Sequence, residues 1–197
     1  MFAGKDNTTQ LGPRKDFYGQ AVVIRLDRRY VDKHVYVLYG HIKTWKVHKG
    51  DRVKKGQDIA TVGAEGIALG PHLHLEVRLG KNTYTATVNP EFWLVPLPKH
   101  GTLIGRLTTP DGYAWLGARI NVYRVKEKKP VYWTTIPTYL PEPGIQPDPL
   151  WGENWLLTDV PEGKYILEFS VPGGQSRREV TVKAGQTTWV DVTLPPK

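Results

Sequence analysis

The chain has 197 residues, a formal net charge of +8 and no cysteine. The missing cysteines exclude disulfide frameworks, thiolate zinc sites, iron–sulfur clusters and thiol nucleophiles. Seven Trp, ten Tyr and four Phe argue for packed cores rather than disorder, and the length suits one or two domains. No apolar run approaches the ~20 residues a membrane span needs. Met1–Asn7 lacks the basic-then-apolar order of a signal peptide, so the given chain shows no export signal.

Short β-branched and aromatic runs come first. Val22-Val23-Ile24-Arg25-Leu26, Val35-Tyr36-Val37-Leu38-Tyr39 and Asp58-Ile59-Ala60-Thr61-Val62 predict strands, each closed by turn residues such as Gly40 and Gly63. Then Gly70-Pro71-His72-Leu73-His74-Leu75-Glu76-Val77-Arg78 alternates strictly. In a strand, His72, His74, Glu76 and Arg78 share one face, and Leu73, Leu75 and Val77 share the other, expected to be core. Val95-Pro96-Leu97-Pro98-Lys99-His100-Gly101 reads as a linker, because two prolines forbid helix and a glycine permits a turn. It sets the expected boundary between domains 1–98 and 99–197. The first holds 15 basic and 9 acidic residues, the second 12 and 10. Beyond it, Arg119–Tyr123, Lys164–Val171, Arg178–Val182 and Thr188–Leu194 predict further strands, and no window carries a helical period. The fold class is therefore all-β. Residues 126–155, rich in proline with Trp133, Tyr139, Trp151 and Trp155, read as a long insertion whose aromatics pack on their own domain.

Two imidazoles on alternate strand positions lie about 6–7 Å apart at their Cα atoms and can serve one metal-centred site. His41, after Tyr39-Gly40, is the third candidate. His34, His48 and His100 receive no role. The basic cluster Lys43, Lys46, Lys49, Arg52, Lys54 and Lys55 reads as a solvated hairpin face, and no nucleic-acid motif accompanies it.

Together, Tyr39-Gly40-His41-Ile42, the run Lys49-Gly50-Asp51-Arg52-Val53-Lys54-Lys55-Gly56-Gln57-Asp58, and Gly70-Pro71-His72-Leu73-His74-Leu75-Glu76 resemble the lysostaphin/LytM-type zinc peptidases over about residues 2–95. The resemblance implies a zinc metalloendopeptidase fold that cleaves peptidoglycan peptides, acting outside the cytoplasm. It implies that His74 is a metal ligand and that His41 and His72 are catalytic, acting on the zinc-bound water and the developing oxyanion. It requires the three imidazoles to gather around one point.

The family also draws a His and an Asp from an HxxxD motif, and none precedes His41 here. Replacement by Asp32-x-His34, or by Asp6, Asp16 or Asp27, is the disfavoured alternative. The expectation is a truncated form lacking its N-terminal part, with a degenerate homologue as the other option, with zinc binding weak or absent and with little or no hydrolysis by the chain as given. The competing functional readings are a non-catalytic module that binds cell wall or regulates a wall hydrolase, and a structural adhesion protein.

In the second half, Gly101-Thr102-Leu103-Ile104-Gly105-Arg106-Leu107, Leu116-Gly117-Ala118-Arg119-Ile120-Asn121-Val122-Tyr123 and Thr158-Asp159-Val160-Pro161-Glu162-Gly163-Lys164-Tyr165 resemble carboxypeptidase regulatory-like (prealbumin-like) domains. That resemblance implies a seven- or eight-stranded sandwich and no chemistry.

Overall fold

The computed structural model describes residues 2–140 and 144–196. The chain divides into two compact units, 1–90 and 91–197. The division falls at Pro90/Glu91, whereas the linker composition pointed to 98–101. Both units are all-β, and the only helical pieces among the described residues are two short 3-10 turns.

The first unit opens with β1 (Phe2–Lys5), β2 (Gln20–Tyr30) and β3 (Lys33–Gly40). A two-residue turn at Val31-Asp32, both at positive φ, joins β2 to β3. Then follow β4 (Ile42–Trp45), β5 (Ala60–Val62), β6 (His74–Leu79) and β7 (Thr87–Val88). Strands β1-β2-β3-β6-β7 form one antiparallel sheet, and β4 and β5 pair separately. Both faces of the larger sheet are covered. Ala21, Val23 and Leu38 pack with Leu11 and Tyr18, while Val22 packs with Ile42 and Val47. This is the period-two alternation of strand side chains made into two cores.

The second unit contains β8 (His100–Thr108), β9 (Arg119–Lys126), β10 (Lys129–Pro137), β11 (Trp155–Pro161), β12 (Gly163–Val171), β13 (Gly174–Val182) and β14 (Thr187–Thr193). They form a four-stranded sheet, β10-β9-β12-β13, and a three-stranded sheet, β11-β8-β14, with β14 parallel to β8. Leu103 and Val190 from one sheet share a core with Ile120 and Phe169 from the other, so the unit is a β-sandwich.

Two sequence expectations need correction. The 126–155 segment is not a continuous loop. Val131–Ile136 is β-branched and aromatic, and it forms most of β10. A turn at Glu127-Lys128, both at positive φ, folds it back onto β9. Pro130 and Pro137 are tolerated because β10 lies at the sheet edge, where a missing N–H breaks no ladder. Within this segment, Trp155 is fully buried, and the Trp133 ring lies 5.7 Å from Tyr165. Pro141 and Pro143 lie outside the described residues.

The second correction concerns the histidine strand. β6 starts only at His74, and His72 forms an isolated bridge to Gly63. Leu73 is exposed, while Glu76 and Arg78, on the face read as polar, are buried. Their mutual pairing makes that burial possible, since a buried charge needs a hydrogen-bonded partner.

Candidate metal centre

Register brings the three histidines together. Gly40, the last residue of β3, pairs with His74, the first residue of β6. His41 therefore leaves the sheet beside His74. Ile42 then pairs with Val62, and Gly63 bridges to His72, which brings that ring to the same place. His41 is held at φ +56, a conformation that costs a non-glycine residue of order 1 kcal/mol or more and persists where surroundings over-determine it. Its N–H donates to Tyr18 O at 3.0 Å.

The ring centroids of His41 and His72 are 4.9 Å apart, and those of His41 and His74 are 5.2 Å apart. One nitrogen from each of the three rings lies within 4.8 Å of those from the other two. His41 is buried, His74 half-buried and His72 exposed, so the cluster opens to solvent on the His72 side.

One nitrogen of each ring is committed to a protein oxygen. His41 Nδ1 lies 2.7 Å from Glu65 O, and His72 Nδ1 lies 2.8 Å from Gly70 O. A carbonyl only accepts, so both Nδ1 atoms carry the hydrogen and both Nε2 atoms keep a lone pair. His74 Nε2 donates to Glu76 Oε1 at 3.0 Å, which leaves the lone pair on Nδ1. In their neutral form the three imidazoles thus keep lone pairs on Nε2 of His41, Nε2 of His72 and Nδ1 of His74. This donor set suits a borderline divalent ion such as zinc, and carboxylate or carbonyl support of ligating histidines is the usual outer shell of such sites.

Behind His74 lies a closed polar network. Tyr18 Oη donates to Glu76 Oε1. Arg78 donates to Glu76 Oε2 from Nε at 2.9 Å and from Nη2 at 2.7 Å, and Thr87 Oγ1 donates to the same oxygen at 3.0 Å. Arg78 Nη2 also reaches Leu11 O and Tyr18 Oη, each at 3.0 Å. Burial alone would raise the Glu76 pKa. The bonds from His74 and Tyr18, together with the Arg78 charge and its bonds, bring it down to about 2. Glu76 is therefore an anion at neutral pH and a firm acceptor for His74. The Tyr18 hydroxyl is pushed far up, first by burial and then by the Glu76 charge, so it stays a donor. Burial pushes the His41 pKa down, and the neighbouring His74 and His72 add to this. The Glu65 carbonyl and the Asp6 charge oppose it.

The loop that carries Glu65 packs backbone to backbone against residues 17–19. A Cβ on Gly66 would stand 2.4 Å from Gly19 N and 2.6 Å from Phe17 O, and Ile67 N donates to Phe17 O at 2.9 Å. Two glycines at positive φ, Gly19 and Gly66, permit this approach and so place the Glu65 carbonyl at His41.

The structure thus gathers His41, His72 and His74. His34 lies on the β2–β3 hairpin beside Arg29, His48 is paired with Asp51, and His100 starts β8. Asp16, Asp27 and Asp32 are exposed. Asp6 is fully buried and acts electrostatically on His41, but it is not a member of the histidine cluster. Sequence reasoning assigned no role to Tyr18 or Glu65, and it read Gly66 only as a turn residue and as one of the glycines in the peptidase resemblance. The polar periodicity of β6 did flag Glu76 and Arg78; nothing local flags Tyr18.

Residues 6–90 match peptidase family M23. This segment is an M23 peptidase domain. Over 76 residues the chain is 36% identical to the peptidoglycan DD-endopeptidase ShyC of Vibrio cholerae, which covers 39% of this chain and 16% of that protein. Over 61 residues it is 39% identical to an uncharacterized metalloprotease of Haemophilus influenzae, 31% of this chain and 12% of that protein. The matched part thus spans less than a fifth of either relative. Within the M23 domain the matched residues include the whole histidine cluster and its supporting network. The six lysines and arginines from Lys43 to Lys55 are exposed, with Lys46 and Asp58 in a 3.4 Å surface pair of little energetic weight.

Proposed function

We propose that the M23 domain of this chain is a zinc-dependent endopeptidase module that hydrolyses peptide bonds of peptidoglycan outside the cytoplasm. The convergence of three imidazoles carries this reading, and the kinship to a protein named as a peptidoglycan DD-endopeptidase supports the substrate class. His74 is the proposed metal ligand, through Nδ1. His41 and His72 are the proposed catalytic pair. A zinc ion at this site would polarise the scissile carbonyl and bring the pKa of its water toward neutrality.

A ring whose Nδ1–H is committed to a carbonyl can only accept a proton at Nε2. Once it has accepted, it donates from that same atom. His72, open to solvent, thus takes the proton of the attacking water and returns it to the leaving nitrogen. His41, whose pKa burial lowers, is a second proton acceptor in the same cluster. Glu76, ionised and fixed by Arg78, keeps His74 in the tautomer that leaves Nδ1 free.

A second reading is a non-catalytic wall-binding module. It is favoured by the composition of the cluster, which holds no carboxylate among the described residues. The sandwich, on this view and on the first, is a prealbumin-like spacer or adhesion module. Digestion of purified peptidoglycan by the full chain, with zinc and with EDTA, separates the two. New amino termini that EDTA suppresses support the peptidase. Sedimentation with intact peptidoglycan and no cleavage support the binding module.

A further inference from the structure

We propose that the outer face of the four-stranded sheet β10-β9-β12-β13 is a binding site for a neutral strand of N-acetylated pyranose sugars, the glycan of the polymer whose peptides the first unit is proposed to cleave. The choice of that polymer rests on the proposed function. The site itself rests on the geometry of the sandwich alone.

The inner face of this sheet carries Ile120, Val122, Tyr165, Leu167 and Phe169, so alternation turns their neighbours outward. Register then sets the outward residues in rows across the four strands. Tyr132, Tyr123, Ile166 and Glu179 make one row, from β10 through β9 and β12 to β13. Thr135, Asn121, Glu168 and Arg177 make the next. A bulge completes both rows. Tyr132 and Thr135 are three residues apart and would face opposite sides of a regular strand, but the register shift between Tyr132 and Thr134 turns both outward. Bulges at sheet edges re-aim side chains in this way, often beside a site.

The rings of Tyr123 and Tyr132 stand 5.9 Å apart at 77°, an aromatic corner in which one ring can underlie a flat ligand while the other walls it. Tyr132 is 59% exposed, although a ring of that size gains by burial. Beside the corner runs a directed chain of hydrogen bonds. Thr135 Oγ1 donates to Asn121 Oδ1 at 2.7 Å, so Tyr132 Oη is the donor to Thr135 Oγ1 at 3.0 Å. Asn121 Nδ2 and Tyr123 Oη reach Glu168 Oε1 at 3.3 Å and 3.5 Å, and Arg177 Nε lies 3.6 Å from Glu168 Oε2. These contacts to Glu168 are long, so the carboxylate keeps capacity for hydroxyl donors. On the other side of the tyrosine row, a cavity of about 680 Å³ opens over Val125, Lys164, Ile166 and Thr181. That size falls among ligand clefts of ~300–1,000 Å³.

A pyranose ring has apolar C–H faces and a rim of hydroxyls. The C–H face suits the negative face of an aromatic ring, and the rim suits an amide, a carboxylate and a guanidinium set in one row. The apolar side chains of Val125 and Ile166, with the Thr181 hydroxyl, suit the methyl and amide of an acetamido group. Charge favours a neutral strand. Glu168 and Glu179 stand among Arg177, Lys164 and Lys128, so the face lacks the single-sign field that recruits a polyanion. A glycan site on the same chain as the M23 domain would raise the effective concentration of that domain at the polymer.

The test is calorimetric titration of the full chain with the β-1,4-linked hexamer of N-acetylglucosamine, in EDTA so that no metal enters the signal. Cellohexaose, which lacks the acetamido groups, and heparin, a polyanion, run beside it. The variants are Tyr132→Ala, Tyr132→Phe, Glu168→Gln and, as a control, Tyr113→Ala, an exposed tyrosine outside this sheet. Tyr132 is exposed on an edge strand, so its truncation spares the core, and circular dichroism verifies each fold. Glu168→Gln keeps the side-chain shape and reads the polar row independently. The expected result is saturable binding of the hexamer, at least tenfold weaker in Tyr132→Ala and threefold weaker in Glu168→Gln. Tyr132→Phe and Tyr113→Ala should stay within threefold of wild type, and cellohexaose should bind more weakly. No saturable binding of the hexamer by wild type, or equal binding by Tyr132→Ala and Glu168→Gln, overturns the proposal. Tighter binding of heparin that depends on Tyr132 overturns it in favour of a polyanion, and equal binding of cellohexaose overturns the choice of sugar. Digestion of peptidoglycan is read separately, so loss of sugar binding leaves the peptidase standing, and loss of cleavage leaves the sandwich site standing.

Discussion

His74 and Glu76, two residues apart on β6, are joined by a 3.0 Å hydrogen bond from the imidazole Nε2 to a buried carboxylate. Residues at that spacing share a strand face, so the strand itself presents the acceptor to the histidine. The carboxylate is held in turn by Tyr18, Arg78 and Thr87. Orientation of the proposed ligand thus depends on an ion pair in which Arg78 is completely buried.

Removing that carboxylate strands the guanidinium. Glu76→Ala should destabilise the first unit by about 3–5 kcal/mol, the usual cost of leaving one partner of a buried pair alone. Glu76→Gln keeps an acceptor and should cost less. Urea denaturation of the two variants beside wild type measures the difference. Equal stability of all three would contradict the role given to the Arg78–Glu76 pair.

The pH dependence follows from the same group. The Glu76 pKa falls from 4.5 to about 2 in the folded protein, so its contribution is full above pH 4.5 and disappears as the pH drops toward 2. A shift of that size corresponds to about 3 kcal/mol. His41 adds a separate, higher window. Burial lowers its pKa from 6.5, so its protonation costs stability as the pH falls below 6.5 and through the depressed value. Thermal melts from pH 7 to 2 should show two stages of loss. Glu76→Gln should flatten the lower one and His41→Asn the upper one.

Gly66→Ala tests the loop contact. The new Cβ cannot sit 2.4 Å from Gly19 N, and alanine is strained at φ +72, so the 65–67 loop must move away from residues 17–19. Glu65 O then withdraws from His41 Nδ1. The expected outcome is a lower melting temperature and slower release of new amino termini from peptidoglycan, read by differential scanning fluorimetry and by amine labelling. An unchanged rate of cleavage would show that the Glu65 carbonyl does not orient His41.

Trp155→Ala probes the other unit. Trp155 is fully buried in the sandwich core beside Phe169, 5.8 Å between centroids. Truncation should cost about 3–5 kcal/mol of that unit's stability through lost burial and a residual cavity. Zinc titration of the variant should match wild type, because the histidine cluster belongs wholly to residues 1–90.

Much of this protein was legible along the chain. Strand positions emerged from β-branched runs and from turn residues, because a strand is a local alternation that any window reveals. The HxH pair and His41 stood out through a motif set whose spacing is itself local. Other features stayed hidden. The edge strand β10 was masked by prolines, whose tolerance depends on which side of the ladder lacks a neighbour. The burial of Glu76 and Arg78 contradicted a simple polar face, because residues as distant as Tyr18 and Leu11 supply their partners.

The sequence by itself determined the all-β class, the strand that carries His72 and His74, and the kinship of the first half to metallopeptidases. Those properties reside in composition, alternation and short motifs. Only the tertiary structure decided which nitrogen of each histidine remains free. That choice is made by a carbonyl at Glu65, another at Gly70 and a carboxylate at Glu76. The Glu65 carbonyl reaches His41 from 24 residues away because two glycine backbones can touch, and no periodicity along a chain encodes such a contact.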